Sequence, residues 1–272
     1  MLDISLGMWF LEVKINQVDP FLSNIPIFIL YSELFSSGES ISMIQNAIET
    51  LRNGHFILIY DNDSRESETD LVLASQFITP DAIKRMRKDG GGLIFLMVSN
   101  PAAKKLQLPF LSDLFSDVST QYPVLKELIP NDIPYDTKSS FSLYINHRKT
   151  FTGITDNDRS LTMKKFAELV NTIKNHDSIT AIKEFGKEFR SPGHIPICVA
   201  SEKLLNERKG HTELVISLLE MAGLTPVGSG CEIMGEKGKA MPKEDARKYA
   251  EKNNFTFLEG NDIIKAWKKW SK

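Results

Sequence analysis

The chain has 272 residues, 42% hydrophobic and 25% charged, which is enough material for one large folded domain or two small ones. Its 33 lysines and arginines and 35 aspartates and glutamates give a formal net charge of −2, which excludes a strong overall field for nucleic acid or an anionic membrane. The two cysteines, Cys198 and Cys231, form no paired metal or redox motif, so a reducing, cytoplasmic setting is expected.

Residues 1–42 show no clear periodicity, and Pro20 and Pro26 interrupt any long helix there. The apolar run at residues 25–31 falls far short of the roughly 20 residues that a membrane-spanning helix needs. We therefore expect a soluble protein that begins with an extension of unknown role over residues 1–42.

The regular part of the chain begins at Ser42, which can cap a helix that Gly54 ends. Apolar residues between these two positions fall on one helical face, as in an amphipathic helix. No linker composition interrupts the chain after this point, so we predict one domain over residues 43–272.

A densely charged stretch follows a short apolar strand predicted at residues 55–60. Residues 60–70 hold five carboxylates and one arginine. Side chains of an extended segment alternate, so Glu66, Glu68 and Asp70 are expected to point to one side. Such an acidic wall needs a divalent metal, a shared proton or full solvation. A solvated loop is the alternative interpretation.

Strand and helix patterns then alternate along the chain, with short connections between them. Strands are predicted at residues 71–78, 93–98, 141–146 and 225–234. Helices are predicted at residues 80–89, 161–174, 211–223 and 242–253, with a last helix that ends near Trp270. Prolines make residues 99–140 irregular, and no element is assigned to residues 177–188. The alternation favours an α/β or interleaved α+β domain.

A basic stretch at the start of one predicted helix forms a candidate anion site. Arg208, Lys209 and Gly210 precede His211 directly. The unpaired amides and positive dipole end of a helix favour an anion, the basic side chains add charge, and glycine lets a ligand approach the backbone. This helix start therefore predicts a phosphate site. The alternative is that His211 only binds backbone at the helix start.

Five motifs match one known family in order and spacing. They are Asp61-x-Asp63-x-Arg65-Glu66-x-Glu68-x-Asp70, Thr152-Gly153 with Asp158-Arg159, Arg190-x-Pro192-Gly193-His194, Arg208-x-Gly210-His211-Thr212-Glu213, and Cys231-Glu232. Over roughly residues 43–260 the chain closely resembles 3,4-dihydroxy-2-butanone 4-phosphate synthase, in its archaeal, single-domain form.

The resemblance implies a fold, a reaction and a cofactor. The implied fold is α+β, an interleaved α/β sandwich-like single domain. The implied reaction is that of a lyase in riboflavin biosynthesis, which converts D-ribulose 5-phosphate to L-3,4-dihydroxy-2-butanone 4-phosphate and formate. The resemblance also implies magnesium or manganese, with two ions per site, no organic cofactor, and a homodimer with sites near the subunit interface.

The resemblance further assigns roles to individual residues of this chain. The metal ligands are Glu66 and His211. The catalytic residues are Glu68, Asp70, Thr152, His211 and Glu232. The substrate-binding residues are Arg65, Glu66, Asp70, Thr152, Arg208, Gly210, His211, Thr212 and Glu232, of which Arg208 and Thr212 hold the phosphate.

The chain departs from the family pattern at three positions. Phe95 stands where the family commonly has cysteine, Thr69 where it usually has glycine, and Val199 where an arginine is expected. Two other functions therefore remain as hypotheses. One is a different metal-dependent enzyme on sugar phosphates, such as a phosphatase or aldolase. The other is a non-catalytic phosphosugar-binding or altered-specificity homologue.

Overall fold

The computed structural model describes residues 38–272, with side chains from residue 43 onward. Most of the predicted N-terminal extension therefore lies outside the described residues, as does the apolar run at residues 25–31. The helices are α1 Gly38–Arg52, α2 Pro80–Asp89, α3 Asn100–Leu106, α4 Leu111–Asp117, α5 Val124–Glu127, α6 Asp156–Thr172, α7 Ser178–Glu188, α8 His211–Met221, α9 Lys243–Asn253 and α10 Gly260–Trp270. Within these residues, no helix is both long and apolar enough to cross a lipid bilayer.

The strands form one mixed sheet in the described part of the chain. They are β1 Ile57–Tyr60, β2 Thr69–Ala74, β3 Phe95–Val98, β4 Phe141–His147, β5 Phe189–Val199, β6 Val227–Glu232 and β7 Thr256–Glu259. Their order across the sheet is β4-β5-β3-β6-β2-β1-β7. β3 pairs with β5 and β1 pairs with β7 in parallel, whereas the other pairs are antiparallel. The predicted α+β class is confirmed.

Helices cover both faces of this sheet. On one face, Leu58 and Val227 join a hydrophobic core with Phe166 of α6. The next residue in β6, Gly228, faces the opposite side, where a Cβ atom would lie only 2.5 Å from Cγ1 of Val215 in α8. Glycine therefore allows α8 to lie directly against the sheet. Glu39–Lys272 form one compact unit.

Local capping explains where the helices around the site begin. Thr79 caps α2 by accepting a hydrogen bond from the Ala82 amide at 3.2 Å, and Pro80 takes the first helical position, as predicted. Gly210 stands at the N-cap position of α8, so the helix begins at His211. The sequence interpretation of these two helix starts is confirmed.

Other element boundaries differ from the sequence prediction. α1 begins at Gly38, so Ser42 lies inside the helix and not at its start; no proline stands between these positions to stop the helix. α6 begins at Asp156, five residues before the predicted start, because Thr155 caps it by accepting from the Asp158 amide. The polar residues 156–159 therefore belong to a helical turn and not to a loop.

Three segments hold structure that the sequence pattern did not show. Residues 99–140 contain the short helices α3, α4 and α5 between their prolines. Residues 178–188 form α7, which Asp177 caps by accepting a hydrogen bond from the Thr180 amide at 2.9 Å. Residues 190–194 continue strand β5 and do not form a turn.

Candidate active site

A cavity of about 170 Å³ opens where the start of β2 meets the end of β6 and the start of α8. Six residues predicted for the site line it: Glu66, Asp70, Arg208, His211, Thr212 and Glu232. Phe95 of β3 and Cys198 of β5 add to its floor. The remaining wall comes from the segment before β4 and the first residue of that strand: Ile133, Tyr135, Asp136, Lys138, Ser139, Ser140 and Phe141. Most of the predicted site residues therefore meet at one place.

A buried carboxylate shapes the loop between β1 and β2. Asp61 is 1% exposed, and its two oxygens accept hydrogen bonds from the amides of Glu66 at 2.9 Å and Glu68 at 3.2 Å. The Asn62 side chain accepts from the Ser64 amide and fixes the turn before them. Asp61 thus folds the loop back on itself so that Glu66 reaches α8.

His211 is buried between two carboxylates. Its Nδ1 atom lies 3.0 Å from Oε2 of Glu66, and its Nε2 atom lies 3.7 Å from Oδ1 of Asp70. The second distance is too long for an ordinary hydrogen bond. Nε2 and both Asp70 oxygens are buried without a hydrogen-bond partner among the described residues. Unpaired buried polar atoms are costly, so this arrangement is suited to a polar or ionic ligand.

These contacts shift the pKa of each partner. Burial lowers the pKa of His211, but the Asp70 charge and the Glu66 hydrogen bond outweigh it and raise this pKa to about 10. Burial raises the pKa of Asp70 to about 8 against the opposing charge of His211, and Glu232 adds to the rise. Interacting groups of this kind titrate as a pair. The site can therefore keep a proton near neutral pH.

Two further carboxyl groups lie close to this pair. Asp70 and Glu232 are direct neighbours across the antiparallel strands β2 and β6. Burial, together with the charges of nearby acids, raises the pKa of both Glu68 and Glu232. Like charges placed side by side across two strands repel one another. A cation or a shared proton would relieve this repulsion, as the sequence analysis anticipated.

The predicted acidic wall is only partly formed. Glu66 and Asp70 line the cavity, but Glu68 does not belong to its lining. Ser67 adopts a positive φ of 56°, which breaks the alternation that an extended chain would give. The extended run that the prediction assumed therefore does not continue through Ser67, but the three carboxyl groups still lie near one another: besides burial, the charges of Glu66 and Glu68 raise the pKa of Asp70.

A divalent cation fits the side chains around His211. Asp61, Glu66 and His211 offer ligand atoms that lie within 4.8 Å of one another. Carboxylate oxygens with one imidazole suit magnesium or manganese. Asp61 already accepts two backbone hydrogen bonds, so Glu66 and His211 are more available than Asp61 as metal ligands. The Asp70 oxygens, buried and unpartnered, belong to the same cavity.

Two arginines lie next to each other at the cavity: Arg208 lines it, and Arg65 lies behind the lining residue Asp136. Arg208 donates through Nη1 to Glu213 at 2.7 Å and through Nε to Asp136 at 2.6 Å. Arg65 donates through Nη2 to the same Asp136 oxygen at 2.8 Å. A Cβ atom on Gly210 would lie 2.4 Å from Nη1 of Arg208 and 2.9 Å from Nη2 of Arg65. Gly210 thus makes room for the two guanidinium groups.

Thr152 lies apart from the cavity lining. Its hydroxyl contacts Asp158 at 3.4 Å, and its carbonyl accepts from the Asn146 side chain. Asn146 also contacts Nδ1 of His194 at 3.0 Å. Two predicted motifs thus form a second cluster on the loop after β4. Phe151, beside Thr152, is 94% exposed.

The three residues that depart from the family pattern all lie in strands of the sheet. Thr69 begins strand β2 opposite Tyr60 and does not have a positive φ, so threonine causes no backbone strain there. Val199 is buried at the end of β5. Phe95 lines the cavity and packs against Gly230, where a Cβ atom would lie 2.9 Å from the ring.

Sequence reasoning missed Asp136 and Tyr135, which contact the arginines of the site. Tyr135 lies under the Arg65 guanidinium, 5.3 Å from Cζ to the ring centroid. Both residues belong to a segment without a periodic pattern, and their partners are distant in sequence. An aromatic-acid pair directly after Pro134 was the one available signal.

Comparison with known proteins gives the family of this chain. The sequence model of the family described as 3,4-dihydroxy-2-butanone 4-phosphate synthase matches residues 45–266. The enzyme of that name from Methanothermobacter thermautotrophicus is 45% identical over 230 residues, which cover 84% of this chain and 97% of the relative. The one from Archaeoglobus fulgidus is 42% identical over 228 residues, 83% of this chain and 94% of the relative.

Solved structures show the same fold. The Candida albicans 3,4-dihydroxy-2-butanone 4-phosphate synthase has a TM-score of 0.62 at 26% identity, covering 82% of this chain and 96% of that one. A synthase of that name in complex with two magnesium ions has a TM-score of 0.62 at 22% identity and supports the fold alone. Together with the match over most of its length, these likenesses show that the chain belongs to the 3,4-dihydroxy-2-butanone 4-phosphate synthase family.

Proposed function

We propose that this chain carries out its family's reaction at the cavity between β2, β6 and α8. D-ribulose 5-phosphate is converted there to L-3,4-dihydroxy-2-butanone 4-phosphate and formate. The observation that supports this most strongly is the unpartnered Asp70 carboxyl beside His211, next to an arginine pair. A ligand with hydroxyls at one end and a phosphate at the other matches these two halves.

The carboxyl groups supply acid and base catalysis. Enediol formation, loss of water and release of formate each move protons between neighbouring oxygens. Burial raises the pKa of Asp70 to about 8, so this group can hold and release a proton near neutral pH, and burial also raises the pKa of Glu68 and of Glu232. Asp70 and Glu232 reach the cavity from adjacent strands, where they can serve different oxygens of one substrate.

Glu66 and His211 would hold a divalent cation beside these groups. When bound, such an ion stabilises negative charge that develops on substrate oxygens. The two magnesium ions in the relative's structure favour two ions in this site also, and manganese has the same ligand preferences. Glu66 keeps its charge because hydrogen bonding with His211 lowers its pKa despite burial.

Arg208 and Thr212 bind the substrate phosphate, with Arg65 beside them. Guanidinium groups bind phosphate through several charge-assisted hydrogen bonds. The start of α8 adds backbone amides and the positive end of a helix dipole. Both arginines pack over Gly210, so this residue sets their position.

Gly210→Ala should raise KM for ribulose 5-phosphate by about tenfold, with a smaller effect on kcat. Its φ of −84° is open to alanine, so the backbone keeps its conformation while the new methyl group displaces both guanidinium groups. Steady-state kinetics measure the effect. Gly186→Ala is the control, because no atom lies within 4 Å of its added methyl group. An unchanged KM in Gly210→Ala would contradict the phosphate assignment.

Phe95→Cys should lower stability without lowering turnover. The phenyl ring is 6% exposed, so shrinking it leaves a cavity that costs about 1–3 kcal/mol. The variant restores the side chain common in the family and enlarges the pocket, so kcat should stay equal or rise. A melting curve beside formate kinetics tests this, and a loss of kcat beyond tenfold, roughly 1.4 kcal/mol of barrier, would show that the ring positions substrate.

A homodimer would explain why Thr152 lies away from the cavity. Phe151 is almost fully exposed and Ile154 is 52% exposed on the same loop. Exposed apolar residues of this kind suit a contact with a second copy. In this arrangement the loop of one subunit would bring Thr152 to the cavity of its partner.

Mixing two inactive variants tests the dimer arrangement. Thr152→Ala and His211→Ser should each be inactive alone, and a mixture allowed to exchange subunits should regain part of the activity. Recovery is expected because one cavity of each mixed dimer would have both residues intact. Light scattering gives the mass of each sample. A monomeric active protein, or no recovery in mixed dimers, would contradict the arrangement.

Product analysis separates this function from its alternatives. Incubation with ribulose 5-phosphate and magnesium should release one formate per substrate and no inorganic phosphate. A phosphatase would release inorganic phosphate, an aldolase would release a carbonyl fragment without formate, and a non-catalytic homologue would bind without turnover.

We place the enzyme in the cytoplasm, with no nucleic-acid partner, and assign residues 43–272 to the catalytic domain.

A further inference from the structure

The two arginines of the phosphate site already hold an anion that belongs to the protein itself. One oxygen of Asp136 accepts from Nη2 of Arg65 at 2.8 Å and from Nε of Arg208 at 2.6 Å. Its side chain is only 12% exposed, and the charge of Arg208 outweighs burial to lower its pKa. A carboxylate bridging two guanidinium groups has the same partners that a phosphate oxygen would have.

The arginines are also surrounded by other carboxylates. Arg65 contacts Glu66 at 2.9 Å and Asp61 at 3.5 Å, and Arg208 contacts Glu213 at 2.7 Å. Two guanidinium charges thus face four carboxylates once Asp136 is included. A phosphate dianion added to this group would meet uncompensated repulsion unless one carboxylate leaves.

Asp136 is the carboxylate that can leave at least cost. Asp61 and Glu213 are fully buried and accept hydrogen bonds from the amides of Glu66 and Ser201, and Glu66 is bonded to His211. The backbone hydrogen bond that Asp136 accepts comes from the adjacent amide of Thr137, which belongs to the same segment. Asp136 instead lies between α5 and β4, and no residue of the described range 107–140 is buried. Moving a segment that buries so little apolar surface is inexpensive.

We propose that Asp136 is an internal counter-ion that occupies the anion subsite between Arg65 and Arg208 until a phosphate monoester displaces it. Asp136 therefore sets the affinity of the site for phosphate, because only the fraction of molecules with Asp136 withdrawn can bind. The inference rests on the proposed function for the identity of Arg208 as a phosphate ligand.

Calorimetric titration with inorganic phosphate tests the displacement. Asp136→Asn keeps the size of the side chain and removes its charge, so it should bind phosphate at least about tenfold more tightly than wild type. Asp113→Asn is the matched control: it removes an exposed carboxylate that pairs with Lys138 of the same segment at 2.5 Å. It should change the affinity by less than about twofold, as expected for a screened surface charge.

Equal or weaker phosphate binding in Asp136→Asn would overturn the proposal and make Asp136 a residue that positions the arginines. Absence of phosphate binding in both proteins would overturn it as well, because the arginine pair would then not be an anion subsite. Asp136→Ser serves as a second variant if the asparagine variant does not fold. Formate release is assayed separately. The phosphate titration can therefore be interpreted even if the protein does not have the proposed lyase activity.

Discussion

His211→Ser and Glu66→Gln should each lower formate release by about 100-fold or more at saturating magnesium. The two side chains lie 3.0 Å apart and belong to the group of residues that could hold a metal ion. Removing either side chain displaces the cation that would stabilise negative charge on the substrate oxygens. His211→Ser should change the free energy of unfolding by about 1–2 kcal/mol only, because Asp70 can take up a proton when the imidazole is lost.

Two comparisons make this result specific. The double variant should cost little beyond either single one, since groups that hold one ion are not additive. His176→Ser is the control, because His176 also contacts a glutamate, Glu184 at 3.3 Å, but lies outside the cavity lining. It should keep normal turnover. Fully additive losses in the double variant, or near-normal turnover in His211→Ser, would leave His211 a structural residue at the helix start.

Asp70→Asn should raise stability while it removes activity. Asp70 is buried with unpaired oxygens and lies next to Glu232, and burial raises its pKa to about 8. Asparagine removes a buried charge, so without divalent metal the free energy of unfolding should rise by about 1–3 kcal/mol. Turnover should fall by about 100-fold or more, because the group that holds and releases a proton is gone.

Thermal melting in the presence of a chelator measures the gain in stability of Asp70→Asn. Formate kinetics in the presence of magnesium measure its loss of turnover. Glu220→Gln is the matched control: burial raises the pKa of this carboxyl too, but it does not line the cavity. That variant should keep full turnover. A destabilised but active Asp70→Asn would show that the carboxylate is structural and that protons move through another group.

The sequence predicted those elements that carry their own local signals. The Thr79-Pro80 cap of α2 and the glycine before His211 fix helix starts by contacts within a few residues. Alternation of these elements favoured an α/β or interleaved α+β domain, and the family resemblance implied the α+β class. The match to the family's motifs also identified six residues that line the cavity.

Features that depend on distant contacts could not be predicted. The four residues of β7 form a strand through parallel pairing with β1, far earlier in the chain. Asp136 joins the site through Arg65 and Arg208, each about seventy positions away, and its own segment has no periodic pattern. Asp61 was one of five acids in the charged stretch, and only its burial identifies it as the residue that shapes the loop.

The most direct test of the cavity as a metal-dependent lyase site is formate release before chelation, after chelation and after return of magnesium. Wild type should lose about 100-fold or more of its rate with chelator and regain it with magnesium. Glu66→Gln should remain slow throughout, because one ligand of the ion is missing. Full formate release from chelated wild type, or full recovery of Glu66→Gln on adding magnesium, would contradict a divalent cation held by Glu66 and His211.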